Sequence, residues 1–173
     1  MDNNAYLLRC ARTGAQALID AAAESDRLLE LIGPDRLYAI ITTHRHEDHW
    51  GALAKVAEET GAPVYVHEAD ADAVGPTVEF RVREGDPIAV GDTVLSTTHL
   101  IGHTPGSLVL IYHDPSGHRH LFTGDCLFPG GLGRTWSAAD FNALYQGAVS
   151  KIFDRYDDET WIYPGHGADT VLG

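Results

Sequence analysis

Cysteine and methionine are scarce in this chain: Cys10, Cys126 and one methionine among 173 residues. Two thiols cannot staple a disulfide-dense scaffold, and the expected compartment favours their reduced form. Basic side chains are few as well. Twelve lysines and arginines against 25 aspartates and glutamates give a formal charge of −13, a surface that repels polyanions and argues against nucleic-acid binding or RNA processing. No apolar run approaches membrane-spanning length, and Met1-Asp2-Asn3-Asn4 offers neither a basic nor an apolar leader-like stretch. No membrane partner is therefore expected, and a cytoplasmic location is. Repeats, low-complexity tracts and long linkers are also missing. A length of 173 residues suffices for one sizeable core, so a single domain over 1–173 is expected.

Histidine, by contrast, is concentrated. The run Thr42-Thr43-His44-Arg45-His46-Glu47-Asp48-His49-Trp50-Gly51 places three imidazoles and Asp48 within six residues, directly after the apolar segment Leu37–Ile41. In an extended continuation a period of two points His44, His46 and Asp48 to one side and turns Arg45 and Glu47 away. A helix starting around Asp48 to Trp50 puts His49 in its first turn, facing the same space. Clustered histidines can also be a solvated loop, and the rest of the chain decides between the two. Gly102-His103-Thr104-Pro105-Gly106, Thr123-Gly124-Asp125-Cys126 and Tyr163-Pro164-Gly165-His166-Gly167 each set one more ligand-type side chain after an apolar or β-branched run. Strand ends are where loops carry chemistry, so His44, His46, Asp48, His49, His103, Asp125 and His166 point to a site for one transition metal or two adjacent ones.

The spacing predicts strands at Ala5–Cys10, Gln16–Asp20, Leu37–Thr42, Pro63–His67, Val78–Arg83, Ile88–Val90, Thr93–His99, Leu108–Tyr112, His120–Thr123 and Thr160–Tyr163. Helices are expected over Ser25–Ile32, Asp48–Thr60 and Ala138–Phe153, with Ser25 as an N-cap and Gly33-Pro34 and Gly61 as stops. Hairpin strands interrupted by helices suggest an α/β (α+β) class, with sheets packed on each other and helices outside. Cys126, one residue past Asp125, should point away from it as a small buried hydrophobe. His113, His118 and His120 flank the turn signal Asp114-Pro115-Ser116-Gly117 and are expected to be solvated, while His67 and His99 end strands in structural roles.

Through His44-x-His46-x-Asp48-His49 and the later His103, Asp125 and His166, the chain resembles the metallo-β-lactamase superfamily over nearly its whole length, from Asn3 to Gly173. Within it the resemblance is strongest to glyoxalase II-like hydrolases, including short bacterial members without an extra helical domain. That resemblance implies an αββα sandwich and two divalent metal ions per chain. His44, His46 and His103 would hold the first ion, Asp48, His49 and His166 the second, and Asp125 would bridge them. Zinc is the first expectation, with iron or manganese open because ligand type alone does not select one metal. The implied reaction on a small-molecule substrate is hydrolysis of a lactoyl-thiol type thioester by a hydroxide shared between the metals, with Asp48 and Asp125 also relaying protons.

Arg134 matches a position where a basic residue meets the substrate's carboxylate, although a surface ion pair or loop anchor is an equal expectation. Trp136 would wall the pocket or else be a core indole. Two departures from the family stand out. The chain reads as trimmed at both ends, which leaves an edge strand that invites self-association into a homo-oligomer. Ala168 replaces the tyrosine carried shortly after the last histidine, and with the helical domain missing this counts against glutathione recognition. The competing reading is a persulfide dioxygenase with one iron, which Thr123-Gly124-Asp125-Cys126-Leu127 and Gly133-Arg134-Thr135 also resemble. There His44, His103 and Asp125 would form the iron face. β-Lactam or lactone hydrolysis ranks lower, and a non-catalytic metal-binding shell is the remaining class.

Overall fold

In the computed structural model, which describes residues 3–173, the N-terminal half forms a five-stranded sheet. Met1 and Asp2, half of the segment in which no leader was found, lie outside the described residues. The sheet contains β1 (Tyr6–Arg9), β2 (Gln16–Ile19), β3 (Leu37–Thr42), β4 (Val64–His67) and β5 (Phe80–Val82), in that spatial order. Only β1 and β2 pair antiparallel; the others run parallel. Parallel neighbours need crossover connections, which α1 (Ser25–Ile32), α2 (Leu53–Thr60) and α3 (Glu68–Val74) supply.

The second half builds a six-stranded sheet from β6 (Ile88–Val90), β7 (Thr93–His99), β8 (Leu108–His113) and β9 (Arg119–Gly124). A small hairpin, β10 (Leu127–Phe128) and β11 (Gly131–Leu132), follows, then α4 (Ala138–Ala148), β12 (Trp161–Pro164) and β13 (Thr170–Val171). The order across this sheet is β13-β12-β9-β8-β7-β6.

The alternation in β8 shows why the two sheets stack. Leu108 and Leu110 enter an inter-sheet core with Ile19, Ala39, Ile41, Ile88, Leu95 and Phe122. Val109 and Ile111 face the other way and pack with Leu144, Ile152 and Ile162 under α4. A strand buried on both faces reads as a continuous apolar run, as Leu108–Ile111 does. On the outer face of the first sheet Leu28, Ile32, Leu53 and Val56 from the helices cover Ile40, Val64 and Val66. Helix, sheet, sheet, helix is the αββα order that was expected.

Several local expectations are corrected. The helix expected at Asp48–Thr60 is broken: Glu47–His49 is a single 3₁₀ turn, and Ala52 donates its N–H to the Ala21 carbonyl at 2.9 Å before α2 begins. Tertiary contact with the loop after β2 overrides helix propensity there. Ser25 is not a cap; Glu24 holds that position with φ 51° and no capping side chain. The helix expected to reach Phe153 ends its α form at Ala148, and Val149–Phe153 widens into a π turn. Helix α3, the hairpin and β13 were not anticipated. The last two are strands of two residues, too short for any period to show. β1 lies at a sheet edge, although Asn3 bridges to His166 and the Asn4 N–H reaches the Gly165 carbonyl at 2.8 Å. Among the described residues no helix is long and apolar enough to cross a membrane.

Candidate metal centre

Every ligand-type segment leaves its sheet at the same end of the sandwich. β3 runs into His44, β7 and β8 are joined through His103, β9 delivers Asp125, and β12 delivers His166. His46 Nδ1 lies 3.0 Å from His44 Nε2 and 3.0 Å from His103 Nε2, which are themselves 3.3 Å apart. Three inward ring nitrogens at such separations cannot all satisfy one another, because a neutral imidazole has one donor and one acceptor. Donors bound to one ion at about 2.0–2.1 Å in a tetrahedron stand about 3.3 Å apart, so the triangle fits a cation.

A second set lies beside it. His49 Nε2 is 3.2 Å from His166 Nε2, and Asp48 Oδ2 is 3.5 Å from His166 Nε2 and 3.9 Å from His49 Nε2. Asp125 stands between the sets, with Oδ2 at 3.6 Å from His103 and 3.5 Å from His166, and Oδ1 at 3.4 Å from His49. Asp125 Oδ1 is buried without a hydrogen-bond partner among the described residues. A buried carboxylate oxygen left so is costly, and a positive charge at this point is what would satisfy it: a bound ion or, without one, the His49 imidazolium 3.4 Å away. The seven residues thus converge, and their donor set fits two divalent ions.

The outer ring nitrogens fix the inner ones. His44 Nδ1 meets Thr43 Oγ1 at 3.1 Å, His49 Nδ1 meets Asp20 Oδ2 at 2.9 Å, and His103 Nδ1 meets the Arg134 carbonyl at 2.8 Å. Such partners choose the tautomer and hold the ring plane. Asp20 also accepts from the Thr43 N–H at 2.7 Å and hydroxyl at 2.8 Å, from a buried residue in the left-handed region at φ 57°. Asn3 Nδ2 donates to Asp48 Oδ2 at 2.9 Å.

Burial and the neighbouring imidazoles hold His44 well below the ordinary histidine range and lower His46 as well, although Asp48 and Asp125 oppose the shift of His46; both are shifted toward the neutral form that ligates. Asp48 is also held low: burial raises it, but the Asn3 amide and His49 outweigh that. His49 behaves oppositely. Burial pushes it down, yet Asp125 and Asp20 carry it up to about 10, so the metal-free protein keeps an imidazolium there at neutral pH. A metal must displace that proton. Adding zinc to metal-free protein at pH 8 should therefore release about one proton per chain from His49. Calorimetry in two buffers of different ionisation enthalpy checks this, and a buffer-independent heat would contradict it.

A family model described as "Metallo-beta-lactamase superfamily" matches residues 1–166. The chain belongs to the metallo-β-lactamase superfamily. A hydroxyacylglutathione hydrolase of Fuscovulum blasticum is 36% identical over 166 residues, covering 95% of this chain and 62% of the relative. The chain spans about three fifths of the length of the hydroxyacylglutathione hydrolases it matches. Among solved structures, ETHE1 from Myxococcus xanthus is similar with a TM-score of 0.83 and 30% identity, over 98% of this chain and 75% of that one. TTHA1623 in a di-iron-bound form gives 0.77 and 30%, over 99% and 90%. Membership of this superfamily together with the His/Asp cluster points to divalent metal binding.

Of the other residues singled out in this superfamily member, His120 departs from expectation, while Cys126, His67, His99, His113 and His118 sit as expected. Trp136 is 62% exposed and no core indole; its ring lies 6.5 Å from that of His46, with the Arg134 guanidinium 4.3 Å above it. Arg134 makes no ion pair within 4.0 Å among the described residues, while its carbonyl anchors His103. His120 is not solvated: it stacks on Tyr112 and Tyr163 and meets the Tyr163 hydroxyl at 3.0 Å, whereas His113 and His118 are exposed. His67 and His99 stack at 3.8 Å as a structural pair. Cys126 is fully buried and burial pushes its thiol up to about 12, so it packs as a hydrophobe. Cys10 sits in a different core cluster and both thiols are free. Asn3, Asp20, Thr43 and Asp70 went unrecognised. Asp20 carried a signal, since it ends the apolar run Ala17-Leu18-Ile19 as Asp125 ends Leu121-Phe122-Thr123-Gly124.

Proposed function

We propose that this protein hydrolyses small thioesters of the lactoyl-thiol type, using two divalent ions. His44, His46 and His103 would hold one and Asp48, His49 and His166 the other, with Asp125 touching both. The observation that carries this reading is the position of Asp125, whose Oδ2 lies within 3.6 Å of a histidine from each set. Two ions so held would lower the pKa of water toward neutrality and polarise a carbonyl. Zinc is the first choice, and the di-iron form of a similar structure supports iron as the other.

The chain's own groups then have defined tasks. The imidazoles, once His49 has lost its proton, offer lone pairs to the ions. Asp48 and Asp125 add the negative charge and are placed to take up a proton. A thiol leaving group has a pKa near 8.5 and departs without a strong acid beside it, which suits a site built of ligands. Arg134, stacked over Trp136, offers a guanidinium fork for a substrate carboxylate at the mouth of the site. A pocket of about 190 Å³ beside His103, lined by Ile101, Pro105 and Trp136 among others, gives room for a small acyl group.

The one-iron persulfide dioxygenase reading needs only His44, His103 and Asp125. It leaves Asp48, His49 and His166, within 3.9 Å of one another, without a task. Fully metallated protein should release thiol from S-lactoyl thioesters with kcat/KM of roughly 10⁴ M⁻¹s⁻¹ or more, and should take up no oxygen with a persulfide. Oxygen uptake without thiol release would overturn the hydrolase reading in favour of the other.

A further inference from the structure

Asp70 is fully buried at the start of α3, and all three donors that reach it come from two segments remote in sequence. Its Oδ2 accepts the Arg45 N–H at 3.1 Å and the Thr104 hydroxyl at 2.5 Å; its Oδ1 accepts the Gly106 N–H at 3.0 Å. The Arg45 guanidinium stands 3.9 Å away and offsets the charge. Arg45 lies between His44 and His46, and Thr104 follows His103. One carboxylate thus ties together the two loops that carry the first histidine set, and none of its three hydrogen bonds goes to Asp48, His49 or His166.

The tie is cooperative and close. The Thr104 N–H donates to the Ser107 hydroxyl at 3.1 Å, and that hydroxyl lies 2.7 Å from Thr104 Oγ1, which passes its own proton toward Asp70. Gly106 approaches so tightly that a Cβ there would fall 2.7–2.8 Å from Asp70 atoms, backbone included. Among the described residues Asp48, His49 and His166 are held instead by Asn3, Asp20 and the neighbouring backbone.

We infer that Asp70 is a positioning residue for one metal position only: it sets the spacing of His44, His46 and His103 and so the affinity of the ion they hold. This rests on the two-metal reading above. Asp70→Asn keeps the shape but puts an NH₂ against an N–H or hydroxyl donor, whichever way the amide turns. The conflict spreads the two loops apart rather than unfolding the chain.

The test is zinc titration of metal-free protein against a chromophoric chelator, with thermal unfolding of the metal-free form alongside. The intact chain should bind two ions. Asp70→Asn should weaken one of them by about 10- to 100-fold and leave the other within a factor of about three. Gly106→Ala, which pushes the same loop away, should do likewise. Thr104→Val should show a smaller loss of the same ion, restored by Thr104→Ser. Equal weakening of both ions in step with a lower melting temperature would mark a merely structural residue and overturn the inference, as would two unchanged affinities. An intact chain that binds no zinc would remove the two-metal reading itself, and the inference with it.

Discussion

Asp125→Ala is expected to reduce metal content from two ions per chain to one or none and to lower thioester kcat/KM by more than about a hundredfold. Residues that merely orient a ligand typically cost 10- to 100-fold when removed, and Asp125 is placed to touch both ions directly. Its two oxygens lie 3.4–3.6 Å from His49, His103 and His166, so alanine takes negative charge from both sets at once. A second readout separates this from general damage. Asp125 is one of the two groups that lift His49 to about 10, so the metal-free variant should show the His49 imidazolium titrating at lower pH by NMR. Metal analysis and steady-state kinetics test the main effect. A variant with two ions and activity within tenfold of the intact chain would contradict it.

Gly165→Ala should be nearly as damaging, through sterics rather than charge. Gly165 carries His166 off the end of β12 and donates its N–H to the Gly124 carbonyl at 2.8 Å. A Cβ built there would stand 2.3 Å from Asp125 Oδ1, 2.6 Å from His49 Cε1 and 3.2 Å from the Gly124 carbonyl carbon. None of these is the free end of a flexible side chain; each belongs to the metal centre or its supporting backbone. Overpacking of this kind costs about 1–3 kcal/mol, and in a chain of this size each kcal/mol lowers the melting temperature by roughly 2–4 °C. Relief must come from moving Asp125 or His49, so metal should be lost along with stability. Calorimetric melting with and without zinc measures both. An unchanged melting temperature with full metal content would show that the backbone gives way at no cost.

Local pattern made much of this legible in advance. Leu108–Ile111 is apolar on consecutive positions because both its faces are covered, and His44-x-His46-x-Asp48-His49 concentrates ligand atoms in a segment too short to scatter them. His103, Asp125 and His166 could be paired with it because each ends an apolar run, where a strand must stop and a loop begin. What the pattern hid depends on contacts made across the chain. Asp20 and Asp70 look like any acidic residue in an acidic sequence until folding brings Thr43 and His49 to one and Arg45, Thr104 and Gly106 to the other. Trp136 was ambiguous because an indole suits a core as well as a rim. Its exposure follows from the loop that the Arg134 carbonyl ties to His103. The break between Glu47–His49 and α2 has the same origin, since the Ala21 carbonyl takes the Ala52 N–H.

Anomalous scattering from zinc-loaded crystals measures the central claim most directly. The account predicts two peaks per chain. One should lie within about 2.0–2.2 Å of ligand atoms of His44, His46 and His103, the other within the same reach of Asp48, His49 and His166, and Asp125 should contact both. No peak in this cluster, or a single ion that leaves Asp125 untouched, would contradict it.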